Sequence, residues 1–179
     1  MSYHDIAVKY GTDKATHGYM DHYEEHFLNL PAFMWDRMRL LEIGCKEGAS
    51  LRMWREIHPK ANLYTLDLFE EFGVPIDIEN VCFIPGSQTD SERLQLLRKM
   101  GPYDVIIDDG SHNSRDQLIS FYGLIGSTYM YVVEDLHCCN DEFYRQGMAF
   151  EQTMLGQMKA ETFPFLFNLY DDKIAFIYG

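Results

Sequence analysis

The sequence predicts an α/β fold: a sheet of seven strands, mostly parallel, with a C-terminal antiparallel hairpin and helices on both faces. Two observations predict this fold. Five short apolar runs alternate with helical patterns, which is typical of a parallel sheet with helical crossovers. Two further apolar runs near the C-terminus flank Asp171-Asp172, which predicts a hairpin closed by a two-residue turn. We find no internal repeat or linker, so we expect one domain over residues 1–179.

Composition narrows the classes of function. The chain is 46% hydrophobic and 15% aromatic and has a formal net charge of -13. This hydrophobic content argues against disorder, and the acidic charge argues against nucleic acid or an anionic membrane as a partner. There is no apolar run long enough to span a membrane, no signal-peptide pattern and no paired CxxC motif for zinc. We therefore expect a reduced, cytoplasmic protein.

The first 30 residues are polar and aromatic. The residues Gly11-Thr12-Asp13 are typical of a turn. From Tyr19 to Leu30, aromatic and apolar residues recur at helical spacing, at Tyr19, Tyr23, Phe27 and Leu30. This spacing predicts a helix that packs an aromatic stripe against the sheet.

A glycine-rich turn follows the first predicted strand. The strand Met38–Ile43 contains Glu42 and leads into Gly44-x-x-x-Gly48, and the helix Ala49–Ile57 begins directly afterwards. Glycines allow a tight turn and close approach of a ligand, and the helix N-terminus offers free N–H groups. The glycine spacing is neither GxGxxG nor that of a P-loop, so the turn does not favour dinucleotide phosphates.

The second strand, Leu63–Leu66, ends in Asp67, about 20 residues past the glycine turn. An acidic residue at this place is suited to the hydroxyls of a ribose. The stretch Glu70–Glu79 is expected to be a loop, and Val81–Ile84 is the third strand. Gln88 follows that strand, where it is either a hydrogen-bond partner for an adenine edge or a solvated loop residue.

Helices are predicted between the later strands. Ser91–Met100 ends at a Gly-Pro pair, and the pattern Ser114-x-x-Gln117 reads as a capping box at the start of the next helix. Residues 141–160 are predicted to be an amphipathic helix whose methionines and aromatic residues are more typical of a core than of a cofactor site.

Two neighbouring strands of the predicted sheet end in acidic residues. The run Tyr103–Ile107 is followed by two aspartates, and the run Tyr129–Val133 by a glutamate and an aspartate. In open α/β sheets, ligands bind beyond the carboxyl ends of the strands. If the two strands lie side by side, the side chains of Asp109, Glu134 and Asp135 converge at one edge.

Clustered carboxylates repel one another unless a cation lies among them. Oxygen ligands with room for water suit Mg²⁺ or Mn²⁺. His112, three residues after Asp109, is then a candidate general base beside the ion. A simpler interpretation stays open for each residue, because a carboxylate after a strand can be a turn or cap residue and a histidine can be packed or solvated.

These elements resemble the class I S-adenosylmethionine-dependent methyltransferases, which have a Rossmann-like seven-stranded sheet. Leu41–Gly48 is similar to their first motif, and Asp67 to the acidic residue that closes their second strand. Three further segments together resemble the metal-dependent sugar O-methyltransferases of macrolide biosynthesis: Tyr10–Lys14, Asp108–His112 and Val133–Leu136. The resemblance covers nearly the whole chain.

The resemblance implies S-adenosyl-L-methionine as cofactor, Mg²⁺ or Mn²⁺ as metal, and methylation of a hydroxyl on a sugar or another diol-containing small molecule. It implies Asp109, Glu134 and Asp135 as metal ligands and His112 as the general base. The implied cofactor-binding residues are Thr12, Glu42, Gly44, Gly48, Asp67, Gln88 and Asp108. It also implies that residues 1–30 cover the cofactor and substrate, and that the chain associates with itself in an unspecified number of copies.

Other functions stay open at this point. Catechol-type O-methyltransferases have a similar arrangement, although a histidine base favours alcohols over phenols. A non-catalytic protein that binds S-adenosylmethionine is a second alternative. Hydroxylase-like relatives are disfavoured because the sequence lacks a His-His-carboxylate triad for iron. The resemblance has departures as well: the family often has Gly-Asp-Gln where this chain has Gly86-Ser87-Gln88, and its antibiotic-sugar members carry an additional N-terminal domain.

Overall fold

The computed structural model describes residues 1–68 and 78–178, and in these residues it contains the predicted mixed sheet. The strand order is β3-β2-β1-β4-β5-β7-β6. Strands β1 to β5 pair in parallel, and β7 pairs antiparallel with both β5 and β6. The strands are β1 Arg39–Ile43, β2 Asn62–Asp67, β3 Val81–Pro85, β4 Tyr103–Asp108, β5 Thr128–Val133, β6 Leu166–Tyr170 and β7 Ile174–Tyr178. The predicted fold class is confirmed.

Helices cover both faces of the sheet. Along β4, Val105 and Ile107 pack on one face and Ile106 on the other, because side chains alternate along a strand. The first three helices cover the first face, and the fourth, fifth and seventh cover the second. The helices are α1 Tyr3–Tyr10, α2 Met20–Leu28, α3 Ala49–Ile57, α4 Ser91–Met100, α5 Ser114–Leu124, α6 Glu142–Arg145 and α7 Met154–Lys159.

Some element boundaries agree with the sequence patterns and some do not. The predicted bounds of α3 and α4 are confirmed. The capping box at Ser114-x-x-Gln117 is wrong: Ser114 is the first helical residue, the N-cap is Asn113, and Gln117 instead donates its amide to the Glu134 carbonyl at 3.1 Å. Helix α1 was not predicted, although Ser2 and Asp5 form its capping box.

Two further predictions fail. The continuous helix over 141–160 is interrupted, since Gln146 and Gly147 have φ of 50° and 79° and separate α6 from α7. The hairpin turn has three residues rather than two, because Tyr170 pairs with Ile174. The loop predicted at Glu70–Glu79 lies outside the described residues for all but its last two positions. Residues 1–68 and 78–178 contain no candidate membrane-spanning helix.

Candidate active site

A cavity of about 670 Å³ lies beyond the carboxyl ends of the parallel strands. Four residues predicted to bind a cofactor line it, namely Thr12, Gly44, Asp67 and Gln88, and so do the predicted metal ligand Asp109 and the predicted base His112. Glu42, Gly48 and Asp108 are not among the described residues that form its wall. The cavity therefore brings together residues that are widely separated along the chain.

The segment Gly44–Gly48, called the glycine turn below, depends on its two glycines. Gly44 has φ of 82°, and a Cβ atom at this position would lie 2.2 Å from the backbone oxygen of Asp109. Gly48 has φ of 79° and is the N-cap of α3. Because left-handed backbone favours glycine, these two residues allow the chain to leave β1, contact the segment after β4 and enter the helix.

Asp67 holds the glycine turn from the neighbouring strand. Its carboxylate accepts backbone N–H bonds from Cys45 at 2.7 Å and Lys46 at 2.8 Å, and a third from Leu68 at 2.6 Å. A carboxylate can accept about four hydrogen bonds, so one acceptor position remains for a ligand hydroxyl.

Asp108 lies behind the cavity wall and forms a buried network with Gln88, which lines the cavity. The Gln88 carbonyl accepts from the Ser111 backbone N–H at 2.7 Å, and its amide donates to Asp108 at 3.2 Å and to Ser120 at 3.3 Å. Asp108 also accepts from the hydroxyls of Ser120 and Tyr131. Burial raises the pKa of Asp108 to about 6, against these bonds, which lower it. The Asp108 side chain therefore contacts the core.

Glu42 is also buried behind the site. It accepts from the Ser50 hydroxyl at 2.7 Å and from the Trp54 indole at 3.4 Å, and the Lys14 ammonium lies 3.5 Å away. Burial raises the pKa of Glu42 to about 7, although Lys14 lowers it. Glu42 thus fixes the start of α3 and contributes to the charge around Lys14.

The three carboxylates predicted as metal ligands, called the acidic edge below, lie at adjacent strand ends. Two of them contact a lysine from the N-terminal segment. The Lys14 ammonium is fully buried and lies 2.5 Å from Asp109 and 2.9 Å from Glu134. Glu134 also accepts from the Tyr23 hydroxyl. Burial raises the pKa of Glu134 well above its usual range, while Lys14 opposes that shift.

Asp135, the third carboxylate, contacts a tyrosine and lies near three imidazoles. It accepts from the Tyr19 hydroxyl at 2.6 Å. His112 and His17 each lie 3.6 Å from its carboxylate, and His137 lies 3.9 Å away. Burial raises the pKa of Tyr19, so its hydroxyl stays protonated and remains a donor.

One set of side chains has donor atoms close enough to share an ion. Among the described residues, the donor atoms of Asp109, His112 and Asp135 lie within 4.8 Å of one another. Glu134 is not in this set; its carboxylate contacts Lys14 and Tyr23. His112 and Asp135 both have left-handed backbone, with φ of 59° and 55°. Such strain at non-glycine residues is typical of functional sites.

The sequence patterns did not assign a site role to Lys14 or Tyr23. The aromatic stripe from Tyr19 to Leu30 is buried as predicted, yet the hydroxyls of its two tyrosines bind carboxylates of the acidic edge. The sequence did contain a signal for these contacts, because a tyrosine on a buried helical face needs a hydrogen-bond partner for its hydroxyl.

The strand order, the glycine turn and the acidic end of β2 define the class I methyltransferase fold. The chain is 33% identical over 145 residues to mycinamicin VI 2''-O-methyltransferase of Micromonospora griseorubida, an alignment that covers 74% of this chain and 35% of the relative. It is 32% identical over 144 residues to 8-demethyl-8-(2-methoxy-alpha-L-rhamnosyl)-tetracenomycin-C 3'-O-methyltransferase of Streptomyces olivaceus, with 73% and 36% covered. No protein-family model matches the chain.

A solved structure matches nearly the whole chain. It is the MycE methyltransferase of the mycinamycin biosynthetic pathway in complex with Mg, SAH and mycinamycin VI, with a TM-score of 0.83 and 26% identity. The match covers 99% of this chain and 54% of that one. The chain is therefore a homologue of macrolide and polyketide sugar O-methyltransferases, and it spans about a third of the length of the curated relatives it matches.

Proposed function

We propose that the chain is an O-methyltransferase domain that uses S-adenosylmethionine and a divalent cation to methylate a hydroxyl of a sugar or another vicinal diol. One observation carries the proposal: Asp109 and His112 line the cavity, and their side-chain donor atoms lie within 4.8 Å of that of Asp135 at the acidic edge. A methyl donor in the cavity and a hydroxyl at the acidic edge would then meet at these two residues. The names of the relatives support a sugar as acceptor.

Some of the proposed cofactor residues would contact the cofactor, and others would hold those residues in place. Thr12, Gly44 and Asp67 line the cavity and would hold S-adenosylmethionine, with Asp67 available to accept from its ribose hydroxyls. Gly48 begins α3 beside this wall, and Gln88 would hold the adenine. Glu42 and Asp108 bond to Ser50 and Gln88 and keep these side chains in place. A relative whose structure holds SAH supports this assignment.

The donor set fits a hard divalent cation. Asp109, Glu134 and Asp135 offer carboxylate oxygens, which suit Mg²⁺ and Mn²⁺ better than softer metals, and the structure of a relative holds Mg. A bound divalent cation supplies positive charge that makes a nearby hydroxyl more acidic.

The protein residues then organise a displacement. When bound, S-adenosylmethionine would supply the methyl group: the acceptor oxygen would bond to the methyl carbon as the carbon–sulfur bond breaks, with its electron pair left on sulfur. His112 takes the proton of the hydroxyl, and its contact with Asp135 orients the imidazole. The glycine turn positions the methyl donor relative to the acceptor, which contributes by proximity.

The proposal extends to the organisation of the chain. Residues 1–179 act as one methyltransferase domain, and residues 1–30 cover the cofactor and the acceptor. Gly11, Thr12 and Asp13 support this role because they line the cavity, and Lys14 continues the segment to the acidic edge. The acceptor is a small molecule rather than a nucleic acid, and the chain associates with itself.

The test measures binding and methyl transfer separately. Binding of SAH is measured by calorimetry with and without Mn²⁺, and transfer of a labelled methyl group is measured on deoxysugar glycosides and on catechol. In His112→Ala we expect methyl transfer to fall by about 10²–10⁴-fold while SAH affinity stays near the wild-type value. His137→Ala, which removes the imidazole 3.9 Å from the other carboxylate oxygen of Asp135, is the matched control with a much smaller expected loss.

The alternatives give different results in the same experiment. Transfer to catechol but not to sugars would favour a phenol methyltransferase. Binding of SAH without transfer to any acceptor would favour a non-catalytic protein. Wild-type turnover in His112→Ala would contradict the assignment of the base.

A further inference from the structure

We propose that Lys14 competes with the divalent cation for Asp109 and Glu134, and so sets the affinity of the acidic edge for that cation. The inference rests on the proposed function, because it concerns the same metal site. It assigns to Lys14 the role of a positioning residue that acts through the carboxylates.

The contacts of Lys14 are those of a cation held by carboxylates. Its side chain is 0% exposed, and its ammonium lies 2.5 Å from Asp109 and 2.9 Å from Glu134. Glu42 lies 3.5 Å away on a third side. A buried ammonium is costly unless its charge is compensated, so these carboxylates are the reason that Lys14 can be buried.

A metal ion would need the same oxygens. Asp109 and Glu134 are two of the three residues proposed as ligands, and both contact the Lys14 ammonium. A carboxylate oxygen bonded to an ammonium has less capacity for a metal, and a positive charge a few ångströms away repels a dication. The ammonium therefore lowers the affinity for the metal and must move when the metal takes the Asp109 oxygen.

The position of Lys14 in the chain gives this competition a further consequence. Lys14 follows directly on residues 11–13, which line the cavity, and its carbonyl accepts from the Tyr19 backbone N–H at 3.1 Å. Displacement of Lys14 would loosen this short segment. Metal binding at the acidic edge would then change the wall of the cofactor cavity.

The first experiment measures Mn²⁺ affinity by calorimetry in the full chain. We expect Lys14→Met to bind Mn²⁺ about tenfold or more tightly than the wild type, because the competing charge is removed. Lys14→Arg keeps the charge and is expected to stay close to the wild type. Lys9→Met, which removes the half-exposed lysine paired with Glu56, is the matched control and should have no effect.

A merely structural role for Lys14 predicts the opposite result. If Lys14 only held the fold together, Lys14→Met would bind Mn²⁺ more weakly or equally, and either result would overturn the inference. If the wild type binds no Mn²⁺ but Lys14→Met does, the competition is supported and the metal requirement of the proposed function fails for the wild type. If neither binds Mn²⁺, both proposals fall.

A second measurement uses the wild type alone, in case Lys14→Met does not fold. Amide hydrogen exchange is followed with and without saturating Mn²⁺ for residues 12–19, where Thr12 donates to Ala7 and His17 to Asp13. We expect exchange in this segment to become faster with Mn²⁺, because Lys14 is released. Unchanged or slower exchange, in a protein that calorimetry shows to bind Mn²⁺, would overturn the inference.

Discussion

The glycine turn follows β1 and the acidic edge follows β4 and β5, at the same end of the sheet, but different kinds of contact hold them. The glycine turn is held by backbone groups: left-handed glycines and the N–H bonds of Cys45 and Lys46 to Asp67. The acidic edge is held by buried side chains, above all by the Lys14 ammonium and the Tyr19 hydroxyl. Backbone conformation and backbone hydrogen bonds therefore hold the glycine turn, whereas buried charged groups and hydroxyls hold the acidic edge.

The two halves also differ in how far along the chain their partners lie. The bond from Cys45 to Asp67 joins residues 22 apart. The bond from Lys14 to Asp109 joins residues 95 apart, and that from Tyr23 to Glu134 joins residues 111 apart. The glycine turn needs only two adjacent strands, whereas the acidic edge is complete only when the N-terminal segment packs on it. This difference predicts that substitutions affect the two halves differently.

The largest effect is expected where the two halves touch. In Gly44→Ala the new methyl group would meet the Asp109 backbone oxygen, at a left-handed φ that alanine disfavours. We expect a loss of about 4 kcal/mol in unfolding free energy, from strain and overpacking together. Chemical denaturation measures it, and SAH and Mn²⁺ binding should be lost together.

Gly18→Ala is the matched control for this substitution. Gly18 has a similar φ of 78°, but a Cβ atom there would meet nothing within 4 Å. We expect a loss of only about 1–2 kcal/mol from the backbone conformation. Equal losses in the two variants would mean that the close approach of the glycine turn to Asp109 does not matter.

This contrast also explains what the sequence could predict. The glycine turn, α3 and Asp67 were predictable because turn glycines, helix signals and strand ends are local patterns. The role of Lys14 depends on a contact with residues far along the chain, so no local pattern specifies it.

The adjacent aspartates show a missed local signal. Asp108 is still part of β4, and alternation places it on the same face as Ile106, against Ser120 of α5. Asp109 lies one residue beyond the strand and reaches the cavity. Counting the alternation from Ile106 would have distinguished the buried Asp108 from Asp109, which lines the cavity, a distinction that the resemblance does not make.

A smaller effect on the unfolding free energy is expected from a change of pH, and it comes from Glu42, which lies 3.5 Å from the buried Lys14 ammonium. Burial raises the pKa of Glu42 to about 7, so the folded state keeps a proton that the unfolded state releases near pH 4.5. The stabilising contribution is fully present below about pH 4.5 and is lost as pH rises through about 7, a change of about 3 kcal/mol. In Glu42→Gln this loss is absent, so the variant should gain stability relative to wild type from pH 5 to pH 8.

Denaturation of both proteins across this pH range tests the sign. At each pH, the unfolding free energy of the wild type is subtracted from that of the variant, and the test follows how this difference changes with pH. The effect of losing the contact with Ser50 is thereby removed. Glu47→Gln, which replaces an exposed carboxylate of the glycine turn, is the control for removing one acidic group. A difference that does not change with pH would mean that Glu42 does not bind a proton in the folded state.

The smallest effects should separate the two halves of the site. Asp67→Asn keeps only one acceptor oxygen, whereas Cys45 and Lys46 donate to one oxygen of Asp67 and Leu68 donates to the other, so at least one of these bonds is lost. We therefore expect SAH affinity to fall about tenfold and Mn²⁺ affinity to change little. Tyr19→Phe removes the hydroxyl that orients Asp135, so Mn²⁺ affinity should fall about tenfold and SAH affinity measured without metal should change little. Calorimetry with each ligand alone gives both values, and Tyr122→Phe, which removes an exposed hydroxyl, is the control. If each variant weakens the binding of both ligands equally, the glycine turn and the acidic edge act as one unit, and the distinction between them is wrong.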